Sequence, residues 1–216
     1  MRISWDQIGE RFFKTGTDRA VLYPYESGMY QDGVPWNGIK AVNNNISGHE
    51  ATPLYSGGVR KNVLFSKEEY GGSIECYTYP DEFEKCLGGS TAIPGICFYD
   101  QEAIPFGLSY RTYRGNDTDG YTYGYDIHLI YQSFVTTRKG DSKSLDGSVS
   151  PEEISFDFTS VPEEVDDLDP VSHLVIRSTS ISSETLQIIE NMLYGSEDSS
   201  PYLPLPNDLI ELLTEV

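Results

Sequence analysis

In the run GNDTDGYTYGYDIHLIYQSF, residues 115–134, three acids and a glycine come close to the spacing that holds a calcium ion. Such a loop needs oxygen ligands at positions one, three and five, glycine at six and a bidentate acid at twelve. With Gly120 at six, Asp117 and Asp119 fall at three and five and Asp126 at twelve, but position one is Gly115, which has no side-chain oxygen. The exit is not helical either. Tyr121, Tyr123, Tyr125, Ile127, Leu129 and Tyr131 share one parity, while Thr122, Gly124, Asp126, His128 and Gln132 share the other. An apolar face alternating with a polar one is the mark of a half-buried strand. Residues 106–113 alternate in the same way, so the segment is a hairpin whose Asn, Asp and Gly supply turn conformations, not metal ligands.

Other chemistry finds less support. His49, His128 and His173 have no zinc-like spacing, and Cys76, Cys86 and Cys97 contain no Cys-x-x-Cys pair and are odd in number, against both a metal site and a disulfide scaffold. There is no Gly-x-Ser-x-Gly elbow, phosphate loop or His-Glu-x-x-His motif. With thirty-four Asp and Glu in the chain, two carboxylates at glycosidase spacing are expected by chance, so their presence argues for no hydrolase. Aromatic-rich sheets also bind sugars. A carbohydrate-binding module is therefore the main binding alternative, although a one-sided aromatic face is more often core than platform.

The elements that must position these residues are mostly strands. Sixteen tyrosines in 216 residues favour sheet over helix, and the length favours one domain, residues 1–216. Strand patterns recur at 19–23, 36–43, 59–65, 73–79, 106–113, 121–135, 154–159 and 173–178, separated by Gly, Pro, Asn or Asp. Many short strands so punctuated predict a β-rich α+β chain, a two-sheet sandwich or barrel with flanking helices. The helices are expected at 80–87, with Pro80 in its first turn, at 183–194, capped by Ser182 and ended by Gly195, and at 208–213, capped by Asn207. Ser4 and Gln7 match a capping box, which Gly9 weakens. Residues 137–151 form an expected exposed loop, and the acidic run VPEEVDDLDP, 161–170, an expected solvated connection. No apolar run approaches the roughly eighteen residues of a membrane span, and the first residues lack a signal-peptide core, so the chain is expected to stay in the cytoplasm of the cell that makes it.

Charge is unevenly spread. The formal total is −19, of which residues 1–150 carry −5 and residues 151–216 carry −14, with Arg177 the only base in the second part. Such a chain repels nucleic acid and anionic membrane, because phosphate binding depends on Lys and Arg.

Several stretches, taken in order, carry a resemblance: WDQIGERFFKTGTDRAVLYP, GVPWNGIKAVN, EATPLY, ECYTYPDEF, PFGLSYRTYRGNDTDG, YGYDIHLIY and LYGSEDSSPYLPLPNDLIELL. From Trp5 to about Leu213 the chain resembles the major tail tube protein of long-tailed bacteriophages. The resemblance implies a non-enzymatic structural virion protein without cofactor or metal. Six copies close into a ring, and rings stack into a tube through which DNA passes unbound during genome delivery. Its partners are further copies of itself, a tape-measure protein and tail-end proteins. A ring of six would carry about −114 formal charges, and carboxylates lining the bore would keep DNA phosphates from sticking. On the polar parity of expected strands lie Glu75, Asp126 and Asp157, the candidates to face that bore.

If 115–126 is a turn and not an ion site, thermal unfolding with calcium and with a chelator should give the same midpoint. A shift of many degrees on chelation would restore the metal reading.

Overall fold

The computed structural model describes residues 3–48, 50–93, 95–140 and 151–214. Among these residues thirteen strands and two α-helices are formed. They are β1 (Phe13–Glu26), β2 (Met29–Tyr30), β3 (Val34–Pro35), β4 (Ile39–Gly48), β5 (Ala51–Ser56), β6 (Val59–Phe65), β7 (Glu68–Cys76), β8 (Ser90–Ile93), β9 (Ile96–Phe98), β10 (Phe106–Asn116), β11 (Gly120–Gly140), β12 (Ile154–Ser160), β13 (His173–Arg177), α1 (Ser183–Tyr194) and α2 (Pro206–Thr214). All eight strand patterns are present, and the chain is β-rich with flanking helices, as its patterning requires. The strands do not divide into two comparable sheets. Nine lie in one antiparallel sheet, ordered β2-β1-β10-β11-β12-β7-β4 with β13 beside β11 and β3 beside β1, and β5-β6 and β8-β9 are separate hairpins. The large sheet is not a closed barrel: among the described residues, β4 pairs only with β7.

The long strand β11 explains this arrangement. One edge pairs with β10 throughout its first two thirds; the other edge pairs with β13 at residues 126–130 and with β12 at 133–140. The change of partner falls at Gln132, whose φ is +35°. A non-glycine residue there costs energy and persists only where its surroundings over-determine it. Here the Gln132 N–H donates to Tyr30 Oη at 3.0 Å, Tyr30 Oη–H and Gln132 Nε2–H both donate to Glu163 Oε1, at 2.9 and 3.0 Å, and the Val161 N–H donates to the Gln132 carbonyl. The acidic segment 161–170 is thus tied to the sheet at Glu163, which also forms a bridge with Val171, and is more than a solvated link.

Each face of the sheet has its own core. Leu22, Ile74, Leu108, Ile130, Phe156 and Phe158 are buried on one. Because β1 and β7 stand far apart in strand order yet share this cluster, the sheet curls around it. Phe83, from the 3-10 helix Asp81–Leu87, closes the curl with its ring centroid 4.6 Å from Trp36, 5.1 Å from Phe156 and 5.3 Å from Phe106. Pro80 is the extended cap of this turn and not its first residue. On the opposite face Val21, Ile127, Leu129 and Ile176 meet Ile189 and Leu193 of α1 and Leu209 of α2.

The helix termini follow local chemistry. The Thr185 N–H donates to Ser182 Oγ at 3.1 Å, and Gly195, at φ +80°, ends α1, as the sequence predicts. The second helix begins before its expected cap: the Leu205 N–H donates to Asp208 Oδ2, while Asn207 Oδ1 accepts instead from the Asp166 N–H. Two buried tyrosines fasten this layer, Tyr23 donating to the Leu193 carbonyl at 2.7 Å and Tyr131 to the Pro204 carbonyl at 3.1 Å. Ser4 and Gln7 are hydrogen-bonded to each other but start no helix. Of the expected loop 137–151, residues 137–140 complete β11 and 141–150 lie outside the described residues, as does His49. No helix among the described residues is long and apolar enough to cross a membrane.

Phe83→Ala should cost about 3–5 kcal/mol, the scale for emptying a buried aromatic site. Chemical denaturation would measure it; a loss under about 1 kcal/mol would mean the curl does not depend on this plug.

Candidate functional site

The three acids expected to face a bore have two different fates. Asp126 lies on the parity opposite the tyrosines, but its side chain is 0% exposed. Lys14 Nζ from β1 stands 2.7 Å from its Oδ2, and Arg114 Nη1 from β10 stands 3.5 Å from its Oδ1. The expectation that Asp126 points into open space is therefore corrected. The inner core covers the polar face of β11 as the helices cover the other, and Asp126 survives there only because two cations flank it.

Glu75 and Asp157 do share an open face. Register places Ala41 and Asn43 of β4, Ser73 and Glu75 of β7, Ser155 and Asp157 of β12, and Thr137 and Lys139 of β11 side by side, opposite the buried Ile74 and Phe156. The face is polar, and its charges are matched. Lys139 Nζ lies 2.6 Å from Asp157 Oδ2; Lys40 Nζ lies 3.8 Å from Glu75 Oε2 and 2.7 Å from Glu153 Oε2; Asn43 Nδ2–H donates to Glu75 Oε1. Among the described residues, Lys139 and Lys40 of this region each lie beside a carboxylate.

The supposed ion loop has a different job. Asn116 Oδ1 accepts from the N–H groups of Thr118 and Asp119, an Asx turn that shapes the β10–β11 connection. Asp117 Oδ1 accepts from the Gly9 N–H at 2.9 Å, Asp117 Oδ2 lies 3.5 Å from Arg11 Nη1, and Asn116 Nδ2–H donates to the Gly9 carbonyl. Gly9 meets these partners at φ +89°, a conformation open to glycine. The turn thus holds the N-terminal segment, whose Ile3, Trp5 and Ile8 stay exposed beside it.

Two buried polar groups escaped the sequence reading. Arg111 forms a two-pronged pair with Asp18, Nε–Oδ1 3.0 Å and Nη2–Oδ2 2.8 Å, and lies over the Tyr125 ring at 4.5 Å. Burial opposes the ionisation of Asp18, but hydrogen bonds from Arg111 and Tyr113 outweigh it and hold the carboxyl below the usual range. The second is a stack of four rings: Tyr110 on His128 (4.6 Å), His128 on His173 (5.2 Å) and His173 on Tyr70 (4.9 Å). His128 Nδ1 and His173 Nε2 share a proton across 3.0 Å, His128 Nε2 pairs with Thr112 Oγ1, and both tyrosine hydroxyls meet Asn44. Their members come from β1, β4, β7, β10, β11 and β13, so no local spacing announces them.

Beyond the polar face much of the surface is apolar. Among the described residues twenty-five large apolar side chains are exposed, against twenty-three apolar residues in the core. They gather on the N-terminal segment (Trp5, Ile8), the β5–β6 hairpin (Tyr55, Val59) and the β8–β9 hairpin (Ile93, Phe98). Patches of this kind mark surfaces that a protein, a membrane or a ligand covers.

No family model matches the chain, and no curated protein matches it in sequence. Solved structures similar to it include a chain of the SPP1 tail tube, from a hybrid solid-state NMR and cryo-EM study, 11% identical over 84% of this chain and 84% of that one, with a TM-score of 0.36. The tube-terminating cap of the anti-feeding prophage is 10% identical over 82% of this chain and 100% of that one, TM-score 0.44. A sheath–tube complex of an extracellular contractile injection system, in the extended state, is 12% identical over 74% and 88%, TM-score 0.32. Likeness at this distance decides nothing about what the chain does.

Lys14→Ala with Arg114→Ala should destabilise by about 3–5 kcal/mol, because it leaves the buried Asp126 carboxylate without its cations; unfolding in urea would measure it, and a neutral result would show that the carboxylate does not depend on them. The histidine pair sets a pH dependence. Burial, reinforced by Lys14 and for His128 by its neighbour His173, lowers both imidazoles to about 4, below the ordinary 6.5. The folded state therefore binds fewer protons than the unfolded one between those values. Stability from the neutral pair should be full above pH 6.5 and lost progressively as pH falls toward 4. The variant His128→Gln with His173→Gln should flatten that part of the profile, and an unchanged slope would assign the acid sensitivity elsewhere.

Proposed function

We propose that this chain is a phage tail tube subunit, a non-enzymatic structural virion protein. Six copies close into a ring, rings stack into a tube, and DNA runs through the bore during genome delivery. The sequence resemblance brings the reading forward. The structural observation that supports it is the protomer's surface, where, among the described residues, twenty-five large apolar side chains are exposed and the outer edge of β4 pairs with no strand. A lone protein with such a surface would aggregate, whereas closed symmetric assembly covers it and pairs the edge.

Within that reading the polar β4-β7-β12-β11 face, with Glu75 and Asp157, lines the bore, while the apolar segments lie between copies. Asp126 has no part in the lining. The tape-measure and tail-end proteins are the further partners. Uniform polarity with internally paired charges lets a duplex slide, because no single position holds its phosphates.

Negative-stain microscopy of the concentrated protein should show rings or tubes of tail-like width. Monodisperse single subunits at every concentration would defeat the proposal. For the bore, Glu75→Lys with Asp157→Lys alters roughly twenty-four charges per ring of six and should slow DNA ejection from virions, most at low salt, with tail length unchanged. Ejection at the normal rate would move this face to the outside of the tube.

A further inference from the structure

Among the described residues, nothing covers the β5–β6 hairpin: every residue from 51 to 62 is exposed, and its strands pair only with each other. An isolated two-stranded hairpin is at best marginally stable in water. Its apolar residues Leu54, Tyr55, Val59 and Leu64 stand in solvent, and Gly57 and Gly58 make the tip at φ +61° and +75°. Six residues per strand reach about 20 Å from the body.

Its charge is also out of character. In a chain of −19, residues 51–65 hold Arg60 and Lys61 and no acid. The opposite composition occurs at 161–170, where Glu163, Glu164, Asp166, Asp167 and Asp169 stand without a base. Glu163 is committed to Tyr30 and Gln132. Glu164, Asp166, Asp167 and Asp169 are exposed, and so are the apolar Val161 and Leu168 that flank and interrupt them. One surface is apolar and basic, the other apolar and acidic, and both belong to every copy.

We propose that the β5–β6 hairpin of one copy docks on the 161–170 segment of another, as a head-to-tail contact that repeats without closing. This rests on the self-assembly reading and names its contact. Two different surfaces meet, so each copy keeps one of each free for the next, the geometry of an open stack. Apolar burial supplies the attraction, and the paired charges set register and exclude alignments that bring acidic segments together. The net charge makes that selection necessary: in most other juxtapositions of two copies, acid meets acid.

The test uses assembled wild-type protein and charge-swapped variants. Arg60→Glu with Lys61→Glu, and separately Glu164→Lys with Asp169→Lys, should each raise the concentration needed for assembly by about tenfold or more, and the four changes together should recover most of it. All four positions are exposed, so melting should barely move and will show that the variants fold. Contact is read directly by placing the photoreactive benzoylphenylalanine at Tyr55 and irradiating assemblies mixed from two isotope-labelled pools. A crosslink between differently labelled copies, joining the hairpin to the peptide 161–170, supports the proposal. A crosslink to any other segment, or assembly indifferent to the swaps, overturns it while the tube reading stands. Wild-type protein that never assembles overturns both.

Discussion

Burial of the middle of β11, residues 126–131, on both faces is the constraint from which the rest of the molecule follows. A strand with one wet face could belong to a simple meander. Here Ile127, Leu129 and Tyr131 meet the helices, while Asp126, His128 and Ile130 turn into the curled sheet. A single layer cannot enclose both sides, so β11 changes partner part-way along, from β13 to β12, and must bend where it does so. Gln132 takes the bend in a left-handed conformation, and Tyr30 and Glu163 hold it there. Glu163 in turn ties down an acidic segment that composition alone would leave free.

Double burial also explains the polar interior. Polar groups of β11 and its neighbours that would be solvated on an open sheet are enclosed, and each must find a partner inside. Asp126 draws in Lys14 and Arg114. His128 is sandwiched between Tyr110 and His173 and stays neutral. Arg111 on the other face takes Asp18 and stacks on Tyr125. These groups join strands that lie far apart in sequence, so they contribute to register as well as stability.

On the outside the logic is reversed. The protomer leaves polar charge paired on one sheet face and apolar area unpaired on its projecting segments. In a monomer the second would be a liability. In the proposed tube the two surfaces divide the work: one lets the cargo pass, and the other holds copies together against a large like charge.

Alternation and turn chemistry by themselves determined the eight principal strands, the hairpin at 115–120 and the span and caps of α1, because each depends on residues within a turn or two of one another. Five short strands were not legible. β2 and β3 are two residues each, and β5, β8 and β9 have too few residues or too little contrast to display a period. Glu75 and Asp157 could be placed on a polar face from parity, since their strands have one open side. Asp126 could not. Parity states which residues share a face, but whether that face meets water depends on how the sheet curls to bring β4 and β7 across from β10 and β11, as the contacts of Asn44 and Tyr70 show, and the cations that make the burial of Asp126 tolerable come from β1 and β10. The role of Asp117 was hidden for the same reason: its partners, Gly9 and Arg11, are more than a hundred residues away, and only tertiary structure brings them to the turn.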